Sequence, residues 1–507
     1  MSEKNTVKKT TAKSLEKTKE TLKPLSFTVE RKPSVLMVAS EATPFIKTGG
    51  LADVLGSLPV ALTANGNLDV RVILPLYGTM EEGFKTHLTY VTNFNVPVGW
   101  RNQYCGLFYY KRKNVTFYFI DNEYYFKRGN LYGYYDDGER FAFFSRAVLE
   151  AMTHLNYYPD VMHCHDWQSA LAIVYLKTVY KDNPLYKDVK TLFTIHNIEY
   201  QGKYSHDDVS ELFGIDPVYL PAMDYNGGIN LMKSALVFAD RVSTVSATYA
   251  QEILTPEYAC GLEYAVRDAQ YKLTGIVNGI DEKTFDPETD EAIFKNYSAS
   301  DLSGKAVCKK ELQKLLGLNE KANVPVIAMV TRLVSHKGLD IVKAVFEKIL
   351  SLDVQLVILG KGDKEYENYF KYMSEVYQGK MKAIIAYNKD MSSKIYSGAD
   401  LFLMPSKAEP CGLSQMIAAR YGAVPIVRRT GGLKDTIIPF NETRKSGNGF
   451  GFNDYNAEGM YNVIVDAVET YKDKRTFNKI VKSAMTTDFS WKKSAVEYEN
   501  LYLDLFK

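Results

Sequence analysis

Lys47-Thr48-Gly49-Gly50-Leu51-Ala52-Asp53 follows an apolar run, Val35-Leu36-Met37-Val38-Ala39, and leads into a helix-like stretch from Leu51 to Ala64. A strand, paired glycines and a helix start make the layout of an anion site. Glycines let the backbone approach a ligand closely and adopt positive φ. The first helical turn carries N–H groups with no intrahelical partner, and Lys47 adds a full positive charge. The loop lacks the Gly-Lys-Ser/Thr that closes a Walker loop and is not G-x-G-x-x-G. Taken alone, it is also the composition of an ordinary tight turn.

Its meaning comes from repetition along the chain. Strands are expected at Val35–Ala39, Val70–Leu74, Thr116–Ile120, Val161–His163, Thr191–Ile195, Val242–Val245 and Ile276–Val277. A second series is expected at Val326–Val330, Leu356–Leu359, Ala383–Ala386, Leu401–Met404 and Val424–Val427. Several are continuous apolar runs, which suits parallel sheets covered on both faces. Helical patterns lie between them, such as Leu339–Leu350 and Gln415–Tyr421. The expected fold is α/β: two doubly wound domains in tandem, with a boundary near Gly275–Asp290 where Asn278-Gly279 and Asp286-Pro287 break the pattern. Ligands of open α/β sheets bind at the carboxyl ends of the strands.

Those ends are where glycines and cations collect. Arg332 and Lys337-Gly338 follow Val326–Val330, and Gly360-Lys361-Gly362-Asp363 follows Leu356–Leu359. Glu409-Pro410-Cys411-Gly412-Leu413 follows Leu401–Met404, and Thr430-Gly431-Gly432-Leu433 follows Val424–Val427. One such loop is weak evidence; several in register point to a ligand with two phosphates in a cleft. Glu409 beside a phosphate site needs a positive or hydroxyl partner. Ribose hydroxyls are one candidate, and a helix-start acid facing the macrodipole is another. The N–H groups of Gly412 and Leu413 are placed to take a phosphate.

Composition narrows the class. The chain has 507 residues, 46% hydrophobic and 24% charged, with a net charge of +2. The first 32 residues hold nine Lys/Arg against four Glu, so the remaining body is slightly acidic and is not expected to bind nucleic acid. Five scattered cysteines without a C-x-x-C pair favour a reduced, cytoplasmic setting. No apolar run nears the ~18 residues of a membrane span, and no apolar core follows the charged N-terminus, so neither a membrane partner nor a signal peptide is expected.

With these motifs in place, the sequence closely resembles bacterial glycogen synthases and plant starch synthases, retaining glucosyltransferases of the GT-B fold. The resemblance rests on Lys47–Asp53, His163-Cys-His-Asp-Trp167, Thr194-Ile-His-Asn197 with Tyr200-Gln-Gly202, and Asn278-Gly-Ile-Asp281. In the second half it rests on Arg332 with Lys337-Gly338, on Glu409–Leu413 and on Arg429-Thr-Gly-Gly-Leu433. It runs from about Ser34 to Leu505. The implied organisation is a flexible basic tail over 1–32, an acceptor-side Rossmann-like domain over 33–278 and a nucleotide-sugar domain over 279–488. A C-terminal helix over 489–507 then returns to the first domain.

The resemblance implies transfer of glucose from a sugar nucleotide to the non-reducing end of an α-1,4-glucan with retention, ADP-glucose being the favoured donor and UDP-glucose the alternative. It places Lys47, Gly49 and Gly50 near the donor diphosphate and sugar, and Arg332 and Lys337 on the pyrophosphate. Glu409 is placed near the transferred glucose, a different task from ribose binding. Cys411, Gly412 and Leu413 line the sugar–phosphate region, Thr430 and Gly431 approach the distal phosphate, and Asn278 belongs to the same binding set. His165 meets the glucose 6-hydroxyl region, Asp136 lines the sugar cleft, and Tyr387 sits beside the base. No cofactor is implied. No Asp-x-Asp pair stands in a suitable loop, so no divalent metal is expected either.

His163 and His165 share a strand face and would suit a metal, but lacking a third ligand they read better as a packed His163 with a functional His165. The aromatic residues of Tyr124–Tyr135 suit sugar stacking and ordinary packing equally. Gln168, His336 and Ala408 depart from the family pattern without removing a needed charge. A catalytically idle glucan-binding homologue would keep the fold but lose Lys47, Arg332, Lys337 and Glu409, all of which are present. A glucan phosphorylase would need pyridoxal phosphate and a longer chain.

Overall fold

A computed structural model describes residues 31–507, so the basic tail expected over 1–32 lies outside the described residues but for its last two. Among the described residues, eighteen strands form three sheets. In chain order they begin with β1 (Ser34–Val38), β2 (Asp69–Pro75), β3 (Thr89–Val98), β4 (Arg101–Arg112), β5 (Val115–Asp121) and β6 (Val161–His165). Next come β7 (Lys190–Ile195), β8 (Lys203–Tyr204), β9 (Asp224–Tyr225), β10 (Gly228–Asn230), β11 (Arg241–Thr244) and β12 (Leu273–Gly275). The last six are β13 (Val326–Val330), β14 (Gln355–Leu359), β15 (Met381–Ile384), β16 (Leu401–Met404), β17 (Val424–Arg428) and β18 (Phe450–Phe452).

The first sheet runs β12-β11-β7-β6-β1-β2-β5-β4-β3, and the second runs β15-β14-β13-β16-β17-β18. All pairs from β12 to β5, and all pairs of the second sheet, are parallel. The central strands are buried along their whole length, as their unbroken apolar runs require. This is the expected pair of doubly wound α/β layers.

Several elements differ from the sequence reading. β3 and β4 form an antiparallel hairpin at the sheet edge that the apolar runs do not announce. β3 alternates exposed and buried residues toward its end, as a one-faced edge strand does. The strand expected at Ile276–Val277 lies three residues earlier, at Leu273–Gly275, and β15 begins two residues before the expected Ala383. The helix expected over Leu339–Leu350 is broken at Val345 into Leu339–Ala344 and Phe346–Ser351.

The C-terminal helix, Trp491–Asp504, packs away from the second sheet. Its Trp491, Tyr498, Leu501 and Tyr502 join one buried cluster with β1, β2, β5 and helix Gly50–Ala64. Asn65 donates to Glu499 (3.0 Å) and Ser494 Oγ donates to the carbonyl of Val277 (2.5 Å), which fastens the same helix to the first layer.

Candidate active site

The Lys47 loop is shaped from beneath by Glu41. This buried carboxylate accepts the N–H of Thr48 (2.5 Å), the Thr48 hydroxyl (2.9 Å) and the N–H of Gly49 (3.3 Å). Burial raises the Glu41 carboxyl, against the pull of those donors. Gly49, expected to offer its N–H to a phosphate, therefore offers it to Glu41. Lys47 is paired with Asp53 at 2.7 Å on the surface, a weak contact that a ligand anion can displace. Gly50 opens helix Gly50–Ala64 and faces the second domain: a Cβ there would stand 4.0 Å from Leu413 Cδ1. The two glycine-bearing loops thus meet across the cleft.

His165 ends β6, fully buried. Its Nδ1 is 2.9 Å from His196 Nε2, and its Nε2 has no partner among the described residues. The His163 ring lies 4.0 Å from that of His165. His163 Nδ1 meets the Tyr502 hydroxyl (2.8 Å) of the C-terminal helix, and its Nε2 meets Thr194 Oγ1 (2.6 Å). Burial holds His163 and His165 well below the usual histidine range and takes His196 to about 3. His163 is packed, as the sequence suggests. Asp166 follows at φ +57°, accepting the N–H groups of His196 (2.7 Å) and Asn197 (3.4 Å), and burial pushes its carboxyl up to about 7.

Asp136 precedes helix Asp137–Leu155 without a side-chain capping bond, and its carboxylate is held by Arg128 in a two-pronged ion pair, 2.6 and 2.7 Å. The aromatic loop divides between buried and exposed rings. Tyr125 and Phe126 are core residues, whereas Tyr124 and Tyr135 are exposed beside this pair.

In the second domain, Gly338 at φ +76° turns the chain between Lys337 and helix Leu339–Ala344, with the Pro405 carbonyl where a Cβ would be. Lys337 Nζ then reaches Glu409 Oε2 at 2.7 Å, and the Ser406 hydroxyl donates to the same oxygen at 2.9 Å. Burial opposes ionisation of Glu409, but Lys337, Ser406 and the nearby His336 outweigh it and hold the carboxyl below its ordinary range. The N–H groups of Gly412 and Leu413 have no acceptor among the described residues. Cys411 is buried, its thiol pushed up to about 12 by burial despite a hydrogen bond from the Asn278 N–H. Asn278 Oδ1 is buried without a partner. Arg332 and Tyr387 are exposed.

Thr430 and Gly431 are engaged across the domain boundary. Their hydroxyl and N–H, expected at a distal phosphate, are both donated to the Glu252 carboxylate of the first domain.

Residues 34–268 match the family model "Starch synthase catalytic domain", and residues 312–483 match "Glycosyl transferases group 1". A glycogen synthase of Clostridium acetobutylicum is 50% identical over 475 residues, covering 93% of this chain and 99% of its own. One of Alkaliphilus metalliredigens is 48% identical over 473 residues with the same coverage. The chain belongs to the glycogen synthase family. The catalytic domain of starch synthase IV from Arabidopsis thaliana, solved bound to ADP and acarbose, superposes with a TM-score of 0.87 at 33% identity, covering 94% of this chain and 99% of its own. A sucrose-phosphate synthase of Thermosynechococcus elongatus shares the GT-B fold at a TM-score of 0.59 and 18% identity, covering 94% and 99%.

This glycogen synthase family member is thus a glycosyltransferase, and its site holds residues to which the sequence alone attaches no role. Glu41, Arg128, His196 and Glu252 each fix a motif residue, and of the four only His196 lies within a quoted motif. Among the described residues, no group of three or more His, Cys, Asp or Glu is arranged to hold a metal. With Lys337, Arg332 and the backbone amides expected at the diphosphate, chelator-treated enzyme is expected to keep its activity. Loss of turnover in EDTA, restored by Mg²⁺ or Mn²⁺, would count decisively against that charge assignment.

Proposed function

We propose that the enzyme transfers glucose from ADP-glucose to the 4-hydroxyl at the non-reducing end of an α-1,4-glucan, with retention at the anomeric carbon. The observation that carries this reading is the loop Glu409–Leu413, where a buried, lysine-paired carboxylate is followed by two unused N–H groups. A diphosphate fits the amides and the cations; a glucose hydroxyl fits the carboxylate. The ADP bound to the starch synthase IV relative supports the adenine nucleotide. We assign the acceptor side to residues 33–278 and the nucleotide-sugar side to 279–488.

In this reading, the bond between the anomeric carbon and the diphosphate oxygen breaks, and its electron pair leaves with the diphosphate. Arg332, Lys337 and the amides of Gly412 and Leu413 meet that growing negative charge, with Lys47 joining from the first domain. Fixed donors aimed at developing charge are often worth about 10²–10³ in rate each. The acceptor 4-hydroxyl attacks from the same face, and its proton passes to the departing phosphate oxygen. Glu409 faces the positive sugar ring, and the unpartnered Nε2 of His165 serves the 6-hydroxyl. Asp136 and Asn278 line the cleft, and exposed Tyr387 lies against the base. The free cysteines support a cytoplasmic setting.

A donor comparison with a glycogen primer tests the assignment. ADP-glucose is expected to exceed UDP-glucose in kcat/KM by at least about tenfold, the effect of ~1.4 kcal/mol in the transition state. Preference for UDP-glucose would overturn the adenine assignment. Turnover of neither donor would leave an idle glucan binder as the better reading.

A further inference from the structure

Two short helices face each other across the domain boundary, Ala247–Glu252 after β11 and Gly431–Thr436 after β17. Each carries a carboxylate to the start of the other. Glu252 accepts the Thr430 hydroxyl at 2.8 Å and the N–H of Gly431 at 3.0 and 3.1 Å. Asp435 accepts the N–H of Thr248 at 2.8 Å and its hydroxyl at 2.5 Å. Ser246 Oγ, which caps the first helix, also donates to the Pro410 carbonyl at 2.8 Å. Arg428 Nη2 reaches the Tyr258 hydroxyl at 2.9 Å beside them.

The turn that Glu252 grips in turn grips the catalytic loop. Gly431, at φ +43°, lies so close to that loop that a Cβ would come within 2.0 Å of the Glu409 carbonyl oxygen. The N–H of Gly432 is shared by the carbonyls of Glu409 and Pro410, 3.1 Å each. The contacts also sit where the chain leaves the first domain. The N–H of Ile276 donates to the Thr244 carbonyl (2.8 Å), and a Cβ on Gly275 would stand 2.2 Å from the Ser246 carbonyl oxygen.

We propose that Glu252 and Asp435 are positioning residues for glucosyl transfer, forming a reciprocal clasp that holds the Glu409–Cys411 loop in register with the His165-bearing domain. The proposal rests on the assignment of Glu409 to the transferred glucose. Neither carboxylate touches the reacting atoms. Both act by setting the distance between groups on different domains, to which reaction rate is steeply sensitive.

The test uses the full chain in a Cys260→Ser background, with spin labels on cysteines at the exposed positions Lys111 and Lys371. Interdomain distances are measured with ADP and a maltooligosaccharide, and kinetics are measured on the unlabelled variants. Glu252→Ala and Asp435→Ala are each expected to lower kcat about tenfold, with the sugar-nucleotide KM within about twofold, because register rather than donor binding is lost. Both should broaden the distance distribution. Glu252→Gln keeps an acceptor oxygen and should recover most of the turnover. The double alanine variant should fall short of the product of the single effects, as expected for two arms of one contact. Wild-type kcat in both alanine variants, or an unchanged distance distribution in both, overturns the clasp. Thr248→Val weakens only the Asp435 arm and serves if an alanine variant fails to fold; wild-type kcat and distances there overturn it equally. Lys337→Ala, run in parallel, separates the two readings: it should lose turnover without altering the distances. Full activity in that variant removes the site assignment, while the distances still decide the clasp.

Discussion

Lys337→Ala is expected to lower kcat by about two orders of magnitude, the scale of one lost charge donor to the departing diphosphate. The same change strips the partner from a buried carboxylate. Lys337 and Glu409 are 2.7 Å apart with side chains 14% and 8% exposed, and breaking such a pair costs up to about 3–5 kcal/mol. Turnover loss by itself would therefore be ambiguous. Adding Glu409→Gln to Lys337→Ala removes the stranded charge and should restore most of the melting temperature without restoring turnover. Arg332→Lys should also reduce kcat, because a point charge cannot reproduce a bidentate fork. Near-wild-type rates in Lys337→Ala and Arg332→Lys would remove both residues from the mechanism.

Deletion of the chain from Trp491 onward is expected to abolish activity and to unfold the first domain selectively. The removed helix buries Trp491, Tyr498, Leu501 and Tyr502 almost completely against strands and a helix of that domain. Each such side chain is worth about 1.5–3 kcal/mol of burial as an upper estimate, against a total stability of about 5–15 kcal/mol. The deletion also uncovers His163, whose ring packs on His165 and whose Nδ1 loses the Tyr502 hydroxyl. Calorimetry should show an early transition absent from the full chain. Apart from Lys47, the groups assigned to the diphosphate lie on the other domain, so ADP should still stabilise the later transition. Tyr502→Phe isolates the hydroxyl: it leaves the ring in place and should cost about 1–3 kcal/mol for an unsatisfied buried nitrogen. A truncated chain that melts and turns over like the full one would show the helix to be dispensable.

The sequence by itself determined the parallel α/β layers, because a strand covered on both faces has to be apolar at every position, and that pattern is local. It also placed glycines and cations at the carboxyl ends of those strands, as the Lys337 and Glu409 loops show. It did not reveal the β3–β4 hairpin, whose outer strand needs only one apolar face. Nor did it reveal which backbone donors remain free. Thr48 and Gly49 read as an open anion site, yet Glu41 occupies them; Thr430 and Gly431 read the same way, yet a carboxylate 178 and 179 residues away occupies them. Gly412 and Leu413, of like composition, are left unused. The role of His163 follows from a hydroxyl 339 residues away. Periodicity and turn chemistry are set by neighbours along the chain. The pairing of a particular donor with a particular acceptor is set only when two sheets and a returning helix pack together, so the tertiary structure alone decided which motif residues face the cleft and which hold it in shape.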